Sequence, residues 1–448
     1  MLLTSAWQRM LIAAIAVAAM WVAVWWVTPS TPSITVAQPA VLVPAAQTAA
    51  AVSQMTLRPI VLAGQAAPGG GRFDRFEVST QPVVAPVNAR GQVVFYATVV
   101  HAFAREGIFL AEAGRISKVA AFGDPVPGGG MLGIFSDHPL PGLNAMGHVA
   151  FDAEVTGGRA TEGVFLARDG ELHVIALADD DAPGIPGGVL LGFDTPALND
   201  NDELAFVATV RRGRDTLHVL YFWNGHRLQR LVAEGELLLR VGGVMDGIGM
   251  PALNNNGVVA FPAAILKGPV LGGIFVAGTR ELRLLVAAGD RTSDGAMIQR
   301  FSEQIAIDDN DAITFGAYLG ASGNLREAVL RRGADGLAAI ALEGAPAPGG
   351  GRYDGFGPWP TVAADGDAAF TAALEGGPGP LAAFVGTPGH VRRVAMMGET
   401  LPGGGQIGRF VLNAVAVAGP GGGLTFATMA DREGEQNAIY CRCPLHSH

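Results

Sequence analysis

Pro251-Ala-Leu-Asn-Asn-Asn-Gly-Val-Val-Ala-Phe261 decides how the rest of the chain is read. A short apolar run meets an Asn-x-x-Gly turn, and a second apolar run follows and ends in Phe. Gly at the fourth turn position suits a residue forced to positive φ, and Asn at the first can bond its own backbone. Outward from this stretch the unit occurs seven times, its terminal Phe falling at Phe95, Phe151, Phe206, Phe261, Phe315, Phe370 and Phe426. Successive spacings are 56, 55, 55, 54, 55 and 56 residues. A period that steady marks a repeat architecture.

Within the fourth copy, Pro251–Asn254 reads as a first short strand and Val258–Ala264 as a second. Gly273–Ala277 and Glu281–Ala288 read as a third and a fourth, and Gly289-Asp290 ends the unit. Four short antiparallel strands per copy predict propeller blades, since a β-solenoid coil needs about half this period. Val258, Ala260 and Pro262 would face one side of the second strand, and Val259, Phe261 and Ala263 the other. With both sides apolar, both faces of each sheet should be buried, as they are when blades stack around an axis.

The chain ends sharpen this prediction. Repeat seven supplies Ala414–Ala418, Leu424–Met429 and Asn437–Cys441 and then stops at His448 without a fourth strand. Leu57–Gly64 resembles the fourth-strand segments Arg115–Gly123 and Arg227–Gly235, and no earlier blade exists for it to join. Pairing it with the last blade closes a seven-bladed ring and leaves no free edge. The expected fold is therefore all-β, a propeller over residues 57–443 followed by a short tail at 444–448.

Helical periodicity is nearly absent after residue 27. Apolar residues make up 49% of the chain, and 63 Gly and 28 Pro supply the turns. A formal net charge of −10 leaves no basic stripe to neutralise phosphates, so nucleic acid is not an expected partner. Residues 1–10 form a short tail with one charge, Arg9, expected to stay in the cytoplasm, and Leu11–Val27 is uninterrupted apolar sequence of 17 residues. That length is at the short limit of a membrane span, with Trp25 and Trp26 where an interfacial belt would lie. No small-x-small cleavage site follows closely, which favours an uncleaved signal-anchor over a removed signal peptide. Residues 28–56 carry no charge and are rich in Pro, Ala, Thr, Ser and Gln, the composition of a spacer. The expected location is a bacterial inner membrane, facing the periplasm or exterior, or the secreted state if residues 1–37 are removed.

Between fourth and first strands lie Gly-rich crossings such as Ala67-Pro-Gly-Gly-Gly71, Val126-Pro-Gly-Gly-Gly130 and Ala347-Pro-Gly-Gly-Gly351. A phosphate cradle would need a helix start behind the glycines and usually a Lys or Ser/Thr, and there is neither. A tight blade-to-blade crossing, pinned by the Phe that follows, is the preferred reading.

Asn88-Ala-Arg-Gly91 with Phe95, Asn144-Ala-Met-Gly147 with Ala150-Phe151, and Asn254-Asn-Asn-Gly257 with Ala260-Phe261 resemble the bacterial tandem-repeat family described by an Asn-x-x-Gly-x-x-Ala-Phe motif. The resemblance covers the region after the spacer. It implies export and a surface anchor, and implies no reaction. Four copies depart from the motif, at Asn199…Asp202, Asp308…Asp311, Ala363…Gly366 and Gly419…Gly422, so no ring of seven identical ligands is available.

Three constellations are candidate sites. An acid recurs after the fourth strand at Asp124, Asp180, Glu236, Asp290 and Glu399, with Gln65 and Ala345 at the remaining positions. Such a partial ring could hold Ca²⁺ or a cationic ligand, but a short acid completing a turn is the simpler role. Asp308-Asp-Asn-Asp311 and Asn199-Asp-Asn-Asp202 look like calcium loops but lack the downstream bidentate Glu. Cys441, Cys443, His446 and His448 could give four ligands to zinc or copper, in a spacing that fits no common zinc pattern. Oxidation of the two thiols is the expected fate in an exported protein. No catalytic motif such as His-Glu-x-x-His or Gly-x-Ser-x-Gly is present, and no cofactor is expected. The chain is thus expected to be a membrane-tethered binding module. Its protein or carbohydrate partner would meet the face of crossings and variable loops between second and third strands. The alternative is a hydrolase or lyase acting on an extracellular saccharide or lactone through a channel metal or carboxylate pair.

Overall fold

The computed structural model describes residues 55–76, 85–135, 140–278, 281–321, 324–417, 424–431 and 435–444. The apolar segment 11–27, the spacer as far as residue 54, His446 and His448 lie outside them. Strands account for all the regular structure described. They form seven successive antiparallel sheets, each ordered fourth, third, second, first, which is the arrangement of a seven-bladed β-propeller.

Blade four shows the plan. Its second strand is Val259–Leu266, its third Gly272–Ala277 and its fourth Leu282–Ala287. The first strand is longer than the sequence suggests and is broken in two. Val244–Asp246 pairs with Ala264–Leu266, and Ala252–Leu253 pairs with Val259 and Ala260. The crossing delivers the chain to the far end of the sheet, so the first strand must travel the whole length of the second to reach the Asn-x-x-Gly turn. The residues between the halves bulge from the ladder. Each sheet therefore has a turn end, where first meets second strand, and a crossing end, where blades connect.

The ring closes through the N-terminal strand. Met55–Leu62 pairs antiparallel with Glu435–Pro444, placing Arg58 opposite Cys441 and Leu62 opposite Ala438, and Ala63 N–H adds a 2.9 Å bond to the Asn437 carbonyl. Met55 and Pro444 face each other, so the described chain begins and finishes at the turn end of blade seven. Cys441 and Cys443 lie two residues apart in this last third strand, joined as a disulfide and buried beside Phe73 and Phe95. No group of three or more His, Cys, Asp or Glu suited to a metal occurs among the described residues. Nor is any described helix long and apolar enough to cross a membrane.

The core is a set of seven layers, one between each pair of neighbouring blades. Each marker Phe sits opposite a third-strand residue, and in six blades that residue is aromatic. Phe95 meets Phe109, Phe151 meets Phe165, Phe206 meets Tyr221, Phe261 meets Phe275, Phe370 meets Phe384 and Phe426 meets Tyr440. Ring centroids in these pairs are 5.5–6.1 Å apart, within stacking range. Blade five alone pairs its marker, Phe315, with an aliphatic residue, Leu330.

Candidate functional site

The Asn-x-x-Gly turns do more than reverse the chain. Asn254 Oδ1 accepts the amides of Asn256 at 3.1 Å and Val258 at 3.0 Å, closing its own turn. Its Nδ2 donates to the Asp308 carbonyl of the next blade at 3.0 Å. The same bond runs from Asn88 to Asn144 (2.9 Å), Asn144 to Asn199 (3.2 Å) and Asn199 to Asn254 (3.0 Å). A belt of buried amides thus joins blades one to five at the turn end. Gly257 has φ +73°, and where Asp202 and Asp311 replace this glycine they keep φ near +60°, which Asp tolerates better than most side chains.

The belt meets an obstacle at Asp308, whose carboxylate cannot donate. Its Oδ1 still accepts Asn310 and Ala312 amides at 2.8 and 3.0 Å. Arg331 supplies the missing donor. One guanidinium nitrogen bonds Asp308 Oδ2, and the other donates to the Gly366 carbonyl of blade six at 2.7 Å. The Asp and Asn residues of the calcium-like loops are used in this way. Asp202 Oδ1 faces Asn144 Nδ2 and His148 Nδ1 at 2.8 Å each, and Asp311 Oδ1 faces Asn254 Nδ2 at 2.7 Å.

The recurring acids after the fourth strand are not brought into a shared site. Asp124 accepts the Ala121 amide, Glu236 that of Ala233, Asp290 that of Ala287 and Glu399 that of Met396, each three residues back. Lys118 and Arg230 add ion pairs to Asp124 and Glu236, and Arg159 pairs with Asp180.

The crossing end is irregular. The third-strand residue paired three places past the marker Phe in the ladder is Glu106, Glu162, His218, Gly272, Glu327, Leu381 or Asn437. Where it is Glu it clips the next blade. Glu106 accepts the Phe135 amide at 3.2 Å, Glu162 that of Phe193 at 2.8 Å and Glu327 that of Phe356 at 2.9 Å.

In blade three His218 takes this position and Glu234, just past the fourth strand, makes the clip. Glu234 accepts the Gly247 amide at 3.0 Å, the His218 amide at 2.7 Å, and faces His218 Nδ1 at 2.9 Å. The hydrogen bond to Glu234 raises the His218 pKa above its ordinary 6.5 against the opposing effect of burial, with the charges of Glu234, Asp194 and Asp246 assisting. Burial alone would raise the Glu234 carboxyl, but hydrogen bonds from His218 and Gly247 turn the net shift downward. Asp246 is raised by burial and by the neighbouring Glu234 charge.

Between blades five and six the crossing end opens into a cleft of about 340 Å³. Its walls come from Arg300 and the bulged Ser302 and Gln304 of blade five's first strand, from Tyr318 and Glu327, and from Pro358-Trp359 of blade six. The Arg300 guanidinium lies 3.8 Å from the Tyr318 ring centroid, a cation–π stack. Burial and the Glu327 charge raise the Tyr318 pKa, and Arg300 opposes them, so the phenol stays protonated at neutral pH. Ser302 Oγ accepts the Gly316 amide at 3.0 Å, fixing one wall. Arg300 has no ion-pair partner among the described side chains. A cation, an acceptor and aromatic faces therefore converge in one concavity, the pattern of a small-ligand site.

Residues 35–381 match the model of the family of unknown function DUF7453. The chain belongs to that family. None of the curated proteins compared matches this DUF7453 member significantly. Among solved structures it is similar to an oligogalacturonate lyase in complex with manganese, at 12% identity and TM-score 0.44, over 88% of this chain and 98% of that one. It is also similar to a Mycobacterium tuberculosis puromycin-hydrolyzing peptidase at 13% identity and TM-score 0.44, over 82% of this chain and 53% of that one. A Trypanosoma rangeli sialidase is a third, at 10% identity and TM-score 0.35, over 85% of this chain and 59% of that one.

Sequence reading did not find the clips or the cleft. Glu106, Glu162, His218 and Glu327 stand 11 or 12 residues past their marker Phe, a periodic signal hidden at the edges of loops that vary. The cleft joins residues about one repeat apart, and its one local sign is the unusual Phe356-Gly-Pro-Trp359 after the fifth crossing.

Proposed function

We propose that this DUF7453 protein is an extracytoplasmic binding module, tethered through residues 11–27, whose ligand seats in the cleft between blades five and six. The observation that carries the reading is Arg300, stacked on Tyr318 with no ion-pair partner among the described side chains and lining the same concavity as Trp359. Elsewhere at the crossing end, Glu106 and Glu162 spend their side chains on holding blades together. The described chain begins at Met55, at the turn end of blade seven. The export and surface anchoring implied by the Asn-x-x-Gly-x-x-Ala-Phe resemblance agree with this arrangement.

A thermal-shift screen of small polar ligands against the wild type and Trp359→Ala tests the reading. A ligand that binds only the folded form raises the melting temperature. Hits should shift the wild type and leave the variant unmoved; hits that shift both equally would place the site elsewhere.

One observation favours hydrolase or lyase chemistry as a second reading. His218 with Glu234 and the raised Asp246 forms a group of coupled carboxylates and imidazole suited to moving protons. Incubating the screen's hits with the protein and following product formation separates the readings. Turnover that falls with His218→Asn would favour catalysis, and intact ligand recovered after binding would favour recognition alone.

A further inference from the structure

We infer that the ligand of the blade five–six cleft is a saccharide carrying a carboxylate, held at one uronate-like ring. The inference rests on the reading of this cleft as the recognition site and names the chemistry it would take. A cleft of about 340 Å³ is at the small end of ligand sites, which run roughly from 300 to 1,000 Å³, so it suits one or two rings.

Three features select the class. Arg300 presents a guanidinium whose fork matches a carboxylate in two parallel hydrogen bonds, and stacking on Tyr318 holds its plane in advance. Half-buried Trp359 and Phe356 line the same cleft with flat apolar faces, which suit the C–H face of a sugar ring. Gln304 and Glu327 also line the cleft and can meet ring hydroxyls with the oxygens left after Gln304 Nε2 donates to Met250 Sδ and Glu327 accepts the Phe356 amide.

Glu327 also argues against a simpler ligand, a free amino acid with Glu327 as the ammonium partner. The Phe356 amide at 2.9 Å already occupies one of its oxygens, and the Tyr318 hydroxyl faces it. Its charge is thereby engaged within the wall. Among the described side chains no carboxylate forms an ion pair with Arg300, and so the ligand should bring an anion.

The test uses the full-length protein and calorimetric titration with uronate-containing di- and trisaccharides, their methyl esters, and free amino acids. The esters keep ring shape and hydroxyls and remove only the charge. The wild type should bind the acids about tenfold or more tightly than the esters, and Arg300→Gln should erase that preference while leaving ester affinity nearly unchanged. Trp359→Ala should weaken acids and esters alike. Equal affinity for acid and ester, both lost in Trp359→Ala, would overturn the acidic class and keep the cleft as the site. Acid binding indifferent to both substitutions would overturn the cleft itself. Binding of amino acids in preference to every saccharide, or of no saccharide, would overturn the inference.

Discussion

At the turn end, Asn88, Asn144, Asn199 and Asn254 each give the same amide to the same carbonyl of the next blade. At the crossing end, the corresponding seven positions hold three Glu, a His, a Gly, a Leu and an Asn. One rim of the ring is repeated and the other is individualised. Repetition fits a task shared by every seam, which is to hold neighbours at a fixed angle with buried polar groups satisfied. Individual residues fit a task done at one seam only. Where the belt loses its donor, at Asp308, Arg331 restores the bond to the next blade, so the function of the turn end survives a change in its chemistry.

The largest effect should come from the core that both rims share. Phe206 is fully buried, edge-on to Phe193 and tilted against Tyr221, so Phe206→Ala should cost about 3–5 kcal/mol in chemical denaturation. Phe315→Ala should cost less, because its ladder partner is Leu330 and the adjacent cleft lets the site relax. Equal losses would remove the distinction between seams.

Next comes Arg331→Met, which strands the buried Asp308 carboxylate and opens the Gly366 carbonyl. A loss of about 3 kcal/mol is expected, and it should largely vanish in the double variant Asp308→Asn, Arg331→Met, where the belt amide is restored. Asn199→Ala should cost about 2 kcal/mol by removing the turn closure and one link to Asn254. Neither belt change should alter ligand binding.

The smallest effect is electrostatic. The folded pKa of His218 is raised, so its contribution is fully present below about 6.5 and is lost as pH rises through the folded value. Glu234 is lowered, so its contribution is present above its ordinary 4.5 and lost as pH falls through the folded value. Asp246 is raised, and ionising it costs stability as pH climbs past its ordinary 3.8. The blade three–four seam should therefore be firmest between about pH 4.5 and 6.5. His218→Gln should flatten the decline above that window, measured as melting temperature against pH.

Much of the frame was legible in the sequence. Seven marker Phe residues at a near-constant period and an orphan fourth strand at Leu57–Gly64 predict the blade number and its closure, and the ladder of Met55–Leu62 with Glu435–Pro444 matches that prediction. The turn Asn was visible as a turn residue. Its second bond, to the carbonyl of the next blade, was not, because a propeller places residues 55 apart side by side and a linear reading sees only one of them. The split first strand was missed for a related reason. Its upper half lies inside the Gly-rich crossings and reads as loop. The cleft was least legible, since Arg300 and Trp359 belong to different blades and only packing brings them to one cleft.

The most direct test of this division of labour puts Asn199→Ala and Trp359→Ala side by side, measuring melting temperature and the ligand-induced shift in each. The belt variant should melt several degrees lower and keep the full shift. The cleft variant should melt close to the wild type and lose it. A belt variant that forfeits the shift, or a cleft variant that retains it, would contradict the account.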